Sequence, residues 1–149
     1  GVALVLTVEN DTILGNSIYS NVGLGINLGG SGNQNQQAPT IGAASTDGST
    51  TNVAGALSGS DAGALYTLEF FANAAADPSG SGEGQIVLGS SQVMTDGGGN
   101  ASFNLILPTG ASPGAFISAT ATDPQGNTSE FAAVVETVKG ALGTEAQAA

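Results

Sequence analysis

Asp123, Asn127 and Glu130 stand within the stretch DPQGNTSE, two carboxylates and an amide set around a turn signal. Oxygen donors grouped in this way are the kind that calcium takes. The same residues have a structural use. An Asp side chain caps such a turn by accepting backbone N–H groups, with Asn127 in the left-handed position. Both readings stay open. A second acidic loop, ADPSGSGEG, carries Asp77 and Glu83; calcium could order it, and the plainer alternative is a hairpin end. Neither loop has EF-hand spacing. Paired carboxylates are also the tools of glycoside hydrolysis, in which an acid and a base face one cleft. Glu9 and Asp11 lie close together and Glu69 sits on a predicted strand, but there is no Arg or His, and Lys139 is the one basic residue. No catalytic residue is assigned, and the chain is expected not to be an enzyme.

Other chemistries fall away by composition. Without Cys or His there are no disulfides, thiol nucleophiles, Ser-His-Asp triads or zinc sites of the usual kind. Twelve acidic residues against one Lys leave a net charge of −11, whereas nucleic acids and anionic membranes are gripped by clustered Lys and Arg. No apolar run is long enough for a helix to span a bilayer. Tyr19, Tyr66 and five Phe, with no Trp, offer few stacking platforms for sugars, though a polysaccharide partner stays open. The chain opens on Gly1 without a charged and apolar leader, as a processed mature chain or an excised piece would.

The elements that must hold these residues read as all-β. Apolar residues make up 40%, enough for a core, while charged residues are 9% against the usual figure of about 25%. The start, GVALVLTVEN, is a nearly continuous apolar run that suits a strand buried on both faces. Residues 10–30 then alternate short apolar pairs with Asn and Gly, giving brief predicted strands near 12–14, 17–19 and 22–28. That rhythm is one coil of a parallel β-helix, with Ile13, Leu14, Ile18, Leu24, Ile26 and Leu28 as the stacking positions. Residues 31–38, Gly-, Asn- and Gln-rich, read as a linker. From 39 to 138, seven predicted strands separated by DGS, DPSGSGEG, DGGGN, PTGASPG and DPQGN predict a two-sheet antiparallel sandwich. Residues 139–149 form a tail.

Two stretches carry a family resemblance. NDTILGNSIYSNVGLGINLG resembles the last coil of bacterial right-handed parallel β-helix surface proteins. The stretch from FFANAAADPSG to TSEFA is similar to the Ig-like β-sandwich that follows the coils in those chains. The resemblance implies a secreted or cell-surface protein without an assigned activity.

A coil cannot bury its inner face alone; it needs neighbours. The initial run, taken as an internal strand, would pair with the coil that follows and keep one free edge, an association template. Val2, Leu4, Val5, Leu6 and Val8 are then the assembly residues, with Leu4, Leu6 and Val8 filling a neighbour's core by β-strand addition. The expectation is a homopolymer, a subunit joined head to tail into an extracellular filament. The alternative is an adhesion or carbohydrate-binding module of a larger β-helix surface protein.

Overall fold

The computed structural model describes residues 1–4 and 7–140. Val5, Leu6 and the tail beyond Gly140 lie outside the described residues. Two short strands open the chain, β1 (Val2–Ala3) and β2 (Ile26–Asn27). Eight more follow: β3 (Thr40–Thr46), β4 (Thr51–Leu57), β5 (Leu65–Asn73), β6 (Ile86–Met94), β7 (Ala101–Leu107), β8 (Phe116–Thr122), β9 (Val135–Glu136) and β10 (Val138–Lys139). The last eight build a β-sandwich of two four-stranded sheets, ordered β10-β3-β4-β7 and β6-β5-β8-β9. All-β architecture with a sandwich is what the turn signals and alternation predict.

Alternation builds the core. Tyr66, Leu68, Phe70 and Ala72 point inward from β5, Ile117, Ala119 and Ala121 from β8, and Val53, Leu57, Phe103 and Leu107 from the opposite sheet. Phe70 meets Phe103 edge to face at 5.7 Å, a favoured aromatic geometry. The outward positions of β5 and β8 depart from a one-sided pattern. From Leu68 to Asn73 and from Ile117 to Thr122 every residue is buried, so something also covers the outer face of this sheet.

The cover is the N-terminal coil. Val2 pairs with Ile26 and Ala3 with Asn27, in parallel. The chain therefore returns beside itself after 24 residues, closing one coil. Gly1-Val2-Ala3-Leu4 and Gly25-Ile26-Asn27-Leu28 occupy matching places, each with apolar, small or polar, and apolar residues after a Gly. Parallel strands need such a long return, because no hairpin can connect them.

Four expectations are corrected here. The initial run is not one long strand: β1 stops at Ala3, the chain turns at Thr7, and Val8 is exposed. Residues 12–14 and 17–19 form no strands: the Ile13 N–H goes to a sandwich side chain, Thr128 Oγ1, and Ile18 makes only an isolated bridge, to the backbone of Gly84. The segment 31–38 is no free linker. It holds a 3-10 segment (Gly32–Asn35) with Asn33 fully buried. The seventh predicted strand is split between the sheets, β9 joining β8 antiparallel and β10 joining β3 in parallel. A chain crossing between sheets about 10 Å apart can leave only short pieces on each.

Candidate functional site

Sheet and coil meet in a second apolar cluster. Ile26 and Leu28 from the coil lie against Phe71 of β5 and Phe131 beyond β8, with Val2, Leu4, Ile13 and Ile18 packed around them. The two rings meet edge to face at 5.3 Å. Two glycines make this approach possible. A Cβ on Gly25 would come within 2.8 Å of Phe131, and one on Gly84 within 2.7 Å of Phe71, distances at which backbone or ring must move.

Around this cluster the sandwich supplies acceptors for the coil's backbone. Glu69 accepts the Gly15 N–H at 3.0 Å and 3.1 Å through its two oxygens. Glu83 accepts the Asn21 N–H at 3.0 Å and the Asn21 Nδ2 at 2.7 Å. Glu130 accepts the Leu28 N–H at 2.9 Å. Asn127 Oδ1 takes the Asn10 N–H at 2.7 Å, and Thr128 Oγ1 takes the Ile13 N–H at 2.9 Å. Buried Asn33 works from the coil side. Its Oδ1 accepts from the Asp11 N–H, and its Nδ2 donates to the carbonyls of Asp11 and Thr128. Unpaired backbone groups are costly when buried, and a β-helix coil would ordinarily satisfy them with the next coil. Here side chains do so.

One of these carboxylates is electrostatically exposed to its surroundings. Burial pushes the Glu69 carboxyl above its usual range, and the Gly15 hydrogen bonds only partly offset that. Across the β5–β8 pair, Thr120 stands directly opposite Glu69 and keeps a buried hydroxyl without a partner.

The predicted site residues are distributed as follows. Asp123 Oδ1 accepts the N–H groups of Gln125 and Asn127, both at 2.9 Å, and its Oδ2 accepts from Asn127 Nδ2 at 2.8 Å. Glu130 is directed away from them to Leu28. The three therefore serve a turn and the coil. The left-handed position belongs to Gly126 (φ 97°), not Asn127, since Gly carries no Cβ penalty there. No cluster of three or more acidic, His or Cys residues suited to a metal forms among the described residues. Glu9 is exposed and Glu69 buried beneath the coil.

Of the coil positions, Ile13, Ile18, Ile26 and Leu28 converge on the Phe71–Phe131 pair. Leu14 is turned out to solvent and Leu24 is half-buried outside the cluster. Of the assembly positions, Val2 and Leu4 face the cluster, Val8 faces solvent, and Val5 and Leu6 lie outside the described residues. Sequence reasoning missed Asn33, Phe71, Thr128 and Phe131 as members of this seam. One signal was present: Phe71 shares a strand face with Glu69, and a large aromatic on an outward face needs a cover.

No family model and no curated protein matches the sequence. Among solved structures, macromomycin is similar at 16% identity and a TM-score of 0.37, over 67% of this chain and 97% of that one. The sensor domain of the anti-sigma factor RsgI4 of Pseudobacteroides cellulosolvens is similar at 14% identity and a TM-score of 0.37, over 68% of this chain and 93% of that one.

Proposed function

We propose that the chain is a non-catalytic structural module that ends a stack of parallel β-coils, with the next coil added to the outer edge of β1. The observation that carries this reading is the parallel register of Val2 with Ile26 and Ala3 with Asn27, one coil apart. Val2 and Leu4 direct their N–H groups to the Gly25 and Asn27 carbonyls. Ala3 therefore presents its backbone groups to the other side, since alternate residues of a strand point in opposite directions. Among the described residues no strand covers that edge. The inner end of the coil is closed by Phe71 and Phe131, so the sandwich acts as a terminal plug. The carboxylates that could have served catalysis or calcium, Glu69, Glu83, Asp123 and Glu130, cap backbone N–H groups, which supports a structural role.

The favoured supplier of the next coil is a longer β-helix protein of the secreted or cell-surface type, to which this module belongs. Head-to-tail assembly of identical copies into a filament is the second reading. The feature that favours it is β6, nine residues with no charged side chain at the edge of its sheet, the kind of edge that accepts a donated strand.

One experiment separates them. Residues 2–25 are duplicated in tandem ahead of Val2, and the extended chain is compared with the parent by thermal melting, amide exchange and light scattering. If β1 receives a coil, the extended chain melts higher and the Ala3 amide gains protection while the protein stays monomeric. An added segment that exchanges as fast as unfolded chain would sink the proposal. Concentration-dependent fibres formed by the parent would shift it to the homopolymer.

A further inference from the structure

A second feature lies where the coil crosses the loop that joins β5 to β6. A cleft of about 290 Å³ opens there, walled by Tyr19 and Asn21 on the coil and by Ala74, Asp77, Glu83 and Gln85 on the sandwich. We infer that this cleft binds a neutral saccharide, whose C–H face lies on the Tyr19 ring and whose hydroxyls meet the surrounding carboxylate and amides.

The ring is the first reason. Of the seven aromatic side chains, Phe70, Phe71, Phe103, Phe131 and Tyr66 are buried and Phe116 is half-buried. Tyr19 alone is about half exposed, at 51%. It contributes to neither apolar cluster. An exposed aromatic face at a concave surface offers a ligand a flat apolar platform beside polar groups.

Rigidity is the second. Just before Tyr19, Ile18 and Gly84 exchange both backbone hydrogen bonds, at 2.8 Å and 2.7 Å, and the Ser17 hydroxyl donates to the Gln85 carbonyl at 2.6 Å. Just after it, Ser20 adopts a left-handed φ of 59°, and Asn21 is held by Glu83. Strained backbone of this kind persists only where its surroundings fix it, and such sites tend to be functional. The ring therefore projects from a segment pinned on both sides, and binding need not order it.

Chemistry of the lining is the third. Asn73 forms the floor, its Nδ2 donating to the carbonyls of Glu83 and Phe116 and its Oδ1 accepting from the Gln85 N–H. Gln85 Oε1 accepts the Ala74 N–H, which turns its Nε2 free as a donor. Asp77 uses Oδ2 for Ser79, leaving Oδ1 as an acceptor. Hydrogen bonds from Ser79 hold the Asp77 carboxyl below its usual range, so it stays ionised through mildly acid conditions. Acceptors, amides and one aromatic face, with no cation among the lining residues, suit a polyol. Phosphates and uronic acids are repelled by the same carboxylates.

The test is titration of the whole chain with cellohexaose, xylohexaose and mannohexaose, followed by amide chemical shifts and calorimetry, at low and high salt and with EDTA present. The expected result is saturable binding of at least one oligosaccharide, with shifts centred on residues 19–21 and 74–85 and with affinity independent of salt and EDTA. Tyr19→Ala, a change at an exposed site, weakens binding by about tenfold or more without altering the melting temperature, while Tyr19→Phe restores it. Absence of saturable binding to all three, or equal affinity in Tyr19→Ala, overturns the inference. Loss of binding in EDTA would indicate that a bound cation rather than the lining residues holds the sugar, and would overturn it as well.

Discussion

The acidic residues divide by the length of their side chains. Asp47, Asp77, Asp96 and Asp123 each accept N–H groups two to four residues ahead, closing their own turns. Glu69, Glu83 and Glu130, one methylene longer, reach the coil across sequence separations of 54, 62 and 102 residues. Asp47, Asp77 and Asp96 on one side and Glu69 on the other respond to pH in opposite senses. Hydrogen bonds depress the carboxyls of Asp47, Asp77 and Asp96, so their contribution is present at neutral pH and is lost as pH falls below the ordinary value of 3.8. Burial raises Glu69, so folding favours its protonated form. Its stabilisation is complete below 4.5 and is lost as pH climbs through the raised value. Glu69→Gln keeps an acceptor for the Gly15 N–H without the buried charge. It is expected to remove that decline and to leave stability at neutral pH equal or higher, measured by urea unfolding from pH 4 to 7. An unchanged pH slope would show that Glu69 stays ionised in the fold. The turn aspartates were legible because Asp followed by Gly or Pro is a local signal. The glutamates were not, since their partners are set by how two distant segments pack.

At the scale of elements, the coil and sandwich hold one another through the Phe71–Phe131 pair. Removing the Phe131 ring empties the centre of the smaller cluster, a class of change that costs about 3–5 kcal/mol. Phe131→Ala is therefore expected to lower stability by roughly that amount. Amide exchange should show the loss concentrated at Gly15, Ile18 and Asn21, with the β4 and β5 amides still protected. Uniform loss throughout would mean that coil and sandwich unfold as one unit. The larger strands were readable from period-two alternation and turn chemistry, and β3 to β8 fall where those signals place them. The split of residues 128–138 was not readable. Thr128 and Phe131 serve the seam, while Ser129 and Ala132 still bond to the β8 backbone, so the chain follows β8 irregularly before it crosses to β3. In the coil, Ile13, Ile18, Ile26 and Leu28 were legible as inward positions. Leu14 and Leu24 were not separable from them, because apolar pairs at a corner give no phase.

Over the whole molecule, a net charge of −11 coexists with a seam made of apolar contacts and neutral or carboxylate-to-amide hydrogen bonds. The two sides of the sandwich also differ. One is crossed by the chain at β9 and β10, and the other ends in β6 and β7, both free of charged side chains.

The brevity of the β1–β2 pairing has a mechanical consequence. A load applied at Gly1 meets a two-residue parallel pairing and then the separate hydrogen bonds that tie the coil to the sandwich at Asn10, Ile13, Gly15 and Asn21. The sandwich behind it is held by strands of seven to nine residues, whose many bonds share a pull. The coil then behaves as a fuse, paying out its slack before the plug is stressed. Pulled from Gly1 and Gly140 in a single-molecule force experiment, the chain is expected to show an early, low-force step as the coil extends. A later, higher rupture follows as the sandwich opens, and a single rupture of the whole chain would rule the fuse out.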